Sequence, residues 1–243
     1  MKKVSLILTT FNSKKNFEQT LRSIDEQTYG NIEVIIIDGA SVDGTLDIIK
    51  EYAEVTEPNT KWLSEPDNGI YDAINKGIRL ATGDYIEIMN DRYVVNSAIE
   101  ELVNAIELNQ GVVGAHADIV YEADSRVIRK WKMGEGAIYR GWMPGHPSLL
   151  LKKSIYDEYG LYDISYTCAA DYEFMLRFLI DKNLVAYVPK TLISMFYGGT
   201  STATLGSYVI SFREAYRALR KNRVQMPFAI CIIRTVRVLM QFI

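Results

Sequence analysis

The chemistry this chain can perform rests on a few polar residues that follow apolar runs. Thr9, Thr10 and Asn12 follow Val4–Leu8, Asp38 follows Ile32–Ile37, and Asn90, Asp91 and Arg92 follow Tyr85–Met89. Asp171 opens another apolar stretch, Ala169–Ile180. Two carboxylates at strand ends suit a nucleotide and a hard divalent cation, which takes carboxylate ligands together with substrate phosphates. A carboxylate at a helix start suits a general base that removes a proton from a hydroxyl nucleophile. The same residue types are also common helix caps and turn formers, so Asp38 and Asp171 admit that plainer reading as well. His146 lies in a loop with Trp142, Pro144 and Pro147. It suits binding of phosphate or substrate, or a structural place beside the prolines.

These residues need rigid elements behind them. Val4–Leu8 and Ile32–Ile37 are short, apolar and rich in β-branched residues, the signature of strands buried on both faces of a parallel sheet. Between them, Asn16–Gln27 carries Phe17, Leu21 and Ile24 at helical spacing, which completes a βαβ unit. In an open α/β sheet the ligand crevice lies at the carboxyl ends of the strands, where these polar residues sit. Further along, the pattern predicts helices over Asp43–Tyr52, Ile70–Ala81, Ala98–Leu108, Lys152–Tyr159 and Ala169–Ile180. It predicts strands over Lys61–Leu63, Tyr85–Met89, Gly111–Tyr121 and Arg126–Met133, with another starting at Ala186–Pro189. Alternation of strand and helix up to Asp91 argues an α/β fold with a mixed later part. The first strand is followed by neither GxGxxG nor GxxxxGK[ST], which argues against a dinucleotide-binding Rossmann unit, a P-loop NTPase and a nucleotidyltransferase with a glycine-rich phosphate loop.

At 243 residues, 48% hydrophobic and 23% charged, the composition is that of an ordinary globular protein with one or two domains. Two cysteines, Cys168 and Cys231, make neither a disulfide framework nor a metal-ligand spacing, and a reducing compartment is expected. No signal peptide is expected, because the chain enters a strand almost at once. The net charge of −3 hides an asymmetry. From residue 213 on, Arg213, Arg217, Arg220, Lys221, Arg223, Arg234 and Arg237 face a single acid, Glu214. A basic, partly apolar tail fits an interfacial helix on anionic lipid. The other readings are a helix packed on the domain or a subunit contact, with a homodimer as one form. The acidic remainder of the chain argues against nucleic acid as a partner.

Several segments, taken together, resemble a known family. VSLILTTFN, IDGASVDGT, EPDNGIYDAINKGI, ATGDYIEIMND, GWMPGHPSLLLKKSIYDEYGLYD and AADYEFMLR occur in order. The chain in this respect resembles the inverting family 2 glycosyltransferases of the GT-A fold, most of all bacterial members that build capsule, O-antigen or exopolysaccharide. The resemblance spans residues 2 to 205. It implies a Rossmann-like, mostly parallel sheet flanked by helices, with a nucleotide-sugar-binding half at 1–95, an acceptor-binding half at 96–205 and a helical tail at 206–243. It also implies a nucleotide-diphosphate-sugar donor and a saccharide or polyprenyl-linked acceptor. The expected location is cytoplasmic, peripheral on the inner face of the membrane.

Position by position, the resemblance places Thr9 and Phe11 at the nucleobase and Asp38 at the nucleoside. Asp67 and Asn68 fall on the loop that closes on the nucleotide, with Asn75 and Lys76 on the helix beside it. Asp171 matches the catalytic base. His146, Trp142, Asp118 and the stretch 198–201 fall on the diphosphate or acceptor side. One departure stands out. The carboxylate motif after the third buried strand is short, reading Asn90–Asp91–Arg92. Asp91 then binds Mg²⁺ or Mn²⁺ through one carboxylate, or Arg92 neutralises the diphosphate directly. The short motif also motivates a second reading, a catalytically weak nucleotide-sugar-binding protein of the same fold.

Overall fold

A computed structural model describes residues 1–123, 126–181, 184–196 and 205–241. The first half alternates β1 (Val4–Thr10), α1 (Lys14–Asp25), β2 (Ile32–Asp38), α2 (Thr45–Thr56), β3 (Thr60–Ser64), α3 (Ile70–Leu80) and β4 (Tyr85–Ile88). The second half contains β5 (Arg92–Tyr93), α4 (Ala98–Leu108), β6 (Val112–Ala123), β7 (Arg126–Trp131), β8 (Leu150–Lys152), α5 (Lys153–Tyr159), α6 (Ala170–Ile180) and β9 (Leu184–Phe196). Two further helices follow, α7 (Leu205–Lys221) and α8 (Pro227–Leu239).

All strands join one sheet in the order β3-β2-β1-β4-β8-β6-β9-β5, with β7 beside β6. The neighbours from β3 to β4 are parallel. β8 runs antiparallel between β4 and β6 and so ties the two halves together. β6 and β9 pair in parallel over a long register. Strand alternation splits the apolar residues into two layers, as a sheet covered on both faces requires. Ile7, Ile35 and Ile37 meet Ile74 and Ile78 of α3 and Phe174 of α6 on one face. Leu6, Leu8, Val34 and Ile36 meet Phe17 and Leu21 of α1 and Leu102 of α4 on the other. Helix α3 lies so close to β1 that a Cβ on Gly77 would stand 2.4 Å from Ile7 Cγ2, so only glycine fits there.

The tail is built into the first of these layers. Ala215, Ala218, Leu219, Val224, Ile230 and Cys231 are buried within it. The packing reading therefore holds for the inner faces of α7 and α8. Their outer faces carry exposed Phe228, Ile232, Val236 and Met240.

One buried acid makes a pH prediction. Glu87 on β4 is fully enclosed, bonded on one oxygen by the Tyr93 hydroxyl at 2.8 Å. Its other oxygen has no partner among the described residues. Burial pushes its carboxyl up to about 7. The folded state then holds a proton that the unfolded chain releases near 4.3, so this group costs stability as pH rises from there through 7. Glu87→Gln is expected to gain roughly 3 kcal/mol on the wild type between pH 5 and pH 8, read by urea unfolding at both pH values. Parallel changes in the two proteins would overturn it.

Candidate functional site

Register brings three polar strand ends into one row. Thr10 on β1 lies beside Asp38 on β2, which lies beside Ser64 on β3. Asp38 is completely buried. Its carboxylate accepts from the Ser64 hydroxyl at 2.6 Å, from the Ser41 backbone at 3.0 Å and from the Ser41 hydroxyl. Ser41 in turn accepts from the Asn12 backbone at 2.8 Å, and Asn12 Oδ1 accepts from Val42 at 3.0 Å. The loops after β1 and β2 are thus laced together, with Asn12 and Ala40 held at positive φ. The hydrogen bonds of the Asp38 carboxylate among the described residues come from Ser41 and Ser64. The turn-forming role describes its contacts, and what stands open beside it is Phe11, 65% exposed. Gly39 lies between Phe11 and Asp67, since a Cβ there would fall 3.3 Å from the ring and 3.2 Å from the Asp67 carboxylate.

Thr9 donates its backbone N–H to Asn90 Oδ1 at 2.7 Å, while the Thr9 and Thr10 hydroxyls are buried without partners among the described residues. The loop carrying Asp67 and Asn68 is bound by Lys76. Its ammonium sits 2.6 Å from Asp67, 2.8 Å from Glu65 and 3.6 Å from Asp72, and donates to Pro66 O at 3.2 Å. Asn68 donates its N–H to Asp72 at 3.0 Å. Lys76 is therefore spent on shaping the loop, and its proton is held more tightly than usual despite the opposing effect of burial. Asn75 departs further from expectation. It is buried, and its side-chain amide pairs with both backbone groups of Tyr162, at 2.9 and 3.0 Å. It ties α3 to the segment that follows α5.

Asp91 is buried and accepts one bond, from the Phe196 backbone at 3.0 Å. Burial raises its carboxyl to about 6. Among the described residues no cation pairs with it, and no three His, Cys, Asp or Glu residues group into a metal cage. An anion left half-paired in this way fits one carboxylate ligand of a hard cation whose other ligands are phosphate oxygens and water. The Arg92 guanidinium is paired with Glu122 through Nη2, while its buried Nε has no hydrogen-bond partner among the described residues.

Asp171 lies half-buried in the first turn of α6. It does not cap that helix. Glu214 of α7 accepts the N–H groups of Thr167, Cys168 and Ala169 at 2.8 to 2.9 Å instead. Asp171 Oδ1 accepts from the Tyr71 hydroxyl at 3.1 Å. Tyr71 stacks on Tyr162 with centroids 5.8 Å apart, and the Tyr162 hydroxyl meets His146 Nε2 at 2.8 Å. Burial holds the His146 imidazole below its usual range, against the opposing pull of Asp171. The Tyr121 hydroxyl is raised by burial first, then by Asp91 and Asp171, with Arg129 opposing. The Tyr121 hydroxyl is thus within the electrostatic reach of both carboxylates.

Trp142 and Asp118 support the walls. Trp142 is buried and donates to Met133 O and Gly134 O, both at 3.1 Å. Asp118 accepts from Met133 N and the Tyr187 hydroxyl, both at 2.8 Å. Both bonds to Asp118 end on Oδ1. The stretch 198–201 lies outside the described residues. Tyr71, Tyr162, Glu122 and Glu214 were not singled out from sequence. For Glu214 a signal existed, as the sole acid in a basic tail.

Comparison with known proteins agrees with this geometry. The family model described as "Glycosyl transferase family 2" matches residues 5–180. An uncharacterised glycosyltransferase of Mycobacterium tuberculosis is 33% identical over 189 residues, 72% of this chain and 68% of that protein. A PGL/p-HBAD biosynthesis glycosyltransferase of Mycobacterium bovis is 26% identical, over 81% of this chain and 78% of its own. Among solved structures, residues 1–349 of S. aureus TarS in complex with UDP-GlcNAc align at a TM-score of 0.72 and 16% identity, covering 98% of this chain and 73% of that one. The mannosyltransferase PcManGT from Pyrobaculum calidifontis, in complex with GDP-Man and Mn²⁺, aligns at 0.67 and 20%, covering 99% and 71%. Among the described residues no helix is long and apolar enough to cross a membrane. With its family match over most of its length and its GT-A sheet, this chain belongs to glycosyl transferase family 2.

Proposed function

We propose that this protein is an inverting glycosyltransferase that moves a sugar from a nucleotide-diphosphate sugar to a glycan or lipid-linked saccharide in cell-surface polysaccharide synthesis. The observation that carries this reading is the match of residues 5–180 to the family 2 glycosyltransferase model on a GT-A sheet. Phe11 and the Asp67–Asn68 loop receive the nucleoside. Asp171 accepts the proton of an acceptor hydroxyl as that oxygen bonds to the anomeric carbon from one face. The bond from that carbon to the diphosphate breaks on the other face, and the nucleoside diphosphate leaves with the electron pair. Asp91 would hold Mg²⁺ or Mn²⁺, which would supply charge stabilisation for the leaving group.

The test is a panel of UDP-, GDP- and dTDP-sugars, read by thermal stabilisation and by release of nucleoside diphosphate with and without EDTA. A matching donor raises the melting temperature, since a ligand that binds only the folded state stabilises it. Turnover that EDTA leaves unchanged removes the metal. Binding without turnover favours the second reading, a nucleotide-sugar-binding protein, which the pairing of Arg92 with Glu122 supports.

The membrane surface is the proposed place of action. Phe228, Ile232 and Val236 on α8 and Met240 at its C-cap recur every four residues and are exposed, with exposed Arg213, Arg220, Arg223 and Arg237 nearby in the chain. Apolar burial at the interface and about 1 kcal/mol per arginine near an anionic leaflet both favour docking. Ile232→Asp with Val236→Asp is expected to abolish sedimentation with anionic liposomes while leaving the fold intact. Unchanged sedimentation overturns the proposal. Loss of a dimer in gel filtration instead assigns the stripe to a second copy.

A further inference from the structure

We propose that Glu214, in the tail helix α7, is a positioning residue for Asp171; this rests on the reading of Asp171 as the base. Its carboxylate takes three consecutive backbone N–H groups, those of Thr167, Cys168 and Ala169. These are the amides that enter α6, and Asp171 follows in the first helical turn. A segment so held cannot rotate the Asp171 backbone without breaking bonds to a charged acceptor, which are stronger than neutral ones.

The grip is itself anchored. Ala215, Ala218 and Leu219 of α7 are fully buried. Lys221 bonds to Asp163 at 2.9 Å and to Glu173 at 3.0 Å. Arg217 bonds to Ser165 at 2.7 Å and lies 4.3 Å over the Tyr166 ring. Segment 163–173 is thus fastened to α7 from end to end.

Glu214 also adds a negative charge close to Asp171. Both carboxylates raise the Cys168 thiol, after burial. The other titratable groups in the field of Asp171 are Tyr71, Tyr121, His146 and Tyr162, contributed by α3, β6 and the loops around α5. Glu214 occupies backbone N–H groups that would otherwise attract an anion.

The test reads amide exchange of residues 167–171, and kcat and KM with the donor found by thermal shift, in wild type, Glu214→Gln and Glu214→Ala. We expect exchange to quicken about tenfold in Glu214→Ala, the order of one hydrogen bond to a charged group, and kcat to fall at unchanged donor KM, with Glu214→Gln, which keeps an acceptor oxygen, recovering part of both. If Glu214→Ala does not fold, Glu214→Gln carries the decision alone through its kcat. Unchanged kcat in Glu214→Gln overturns the proposal, as does unchanged exchange in a folded Glu214→Ala. Turnover retained by Asp171→Asn would instead remove the base while leaving the exchange readout valid, so the two failures are separable.

Discussion

Asp171→Asn is expected to bind its donor as the wild type does and to turn over about 10²–10⁴-fold more slowly, the usual worth of a positioned general base. The change is nearly isosteric. Asn can still accept the Tyr71 hydroxyl bond that Oδ1 accepts at 3.1 Å, so the α3–α6 contact survives. What disappears is the basic oxygen. The measurement is nucleoside-diphosphate release with the donor found by thermal shift, alongside calorimetric binding of that donor. Near-normal release by a folded variant sinks the assignment, and weakened donor binding would move Asp171 from the acceptor side to the donor side.

Glu33→Ala is expected to lower the unfolding free energy by about 3–5 kcal/mol, the cost of breaking a buried ionic network by removing one member. Glu33 on β2 is almost completely enclosed. It accepts from Ser5 at 2.6 Å, from Thr82 N at 2.6 Å and Oγ1 at 2.8 Å, from Gly83 N at 3.1 Å, and from Lys3 and Lys61 at 2.9 and 3.2 Å. Burial opposes the charge, yet these donors hold its carboxyl down to about 2. The sign is opposite to that of Glu87. Stability from Glu33 is fully present above the unfolded value near 4.3 and is lost as pH falls through about 2. Denaturant midpoints of wild type and Glu33→Ala should therefore converge in strong acid. A constant gap across pH 2 to 6 would show that Glu33 acts by packing alone.

The sheet core was legible because a strand buried on both faces leaves a local trace. Val4–Leu8 and Ile32–Ile37 have that trace, and both lie within the strands found. Ala98–Leu108 was legible to the residue through its apolar spacing. The two-residue β5 and three-residue β8 left no trace, since their strand state comes from long-range pairing. β9 was read only at its start, because Pro189 and polar positions interrupt its pattern. The same division runs through the site. Strand-end positions of Asp38 and Asp91 follow from local pattern, whereas their partners do not. Tyr71 lies 100 residues from Asp171, and Glu214 lies 45 from Ala169. Arg92 and Lys76 read as free cations in sequence because Glu122, Glu65, Asp67 and Asp72 neutralise them only in three dimensions.

The Asn75 amide, bound at both ends to the Tyr162 backbone, also limits how the enzyme moves. It crosses the boundary between halves that already share one continuous sheet. A hinge there would have to strip two buried hydrogen bonds and tear the β4–β8 pairing. The sheet is thus fastened across its middle at two independent levels, and the loop 64–69, pinned by the ion pairs of Lys76 and closed by Gly69 at φ 97°, lies outside that joint.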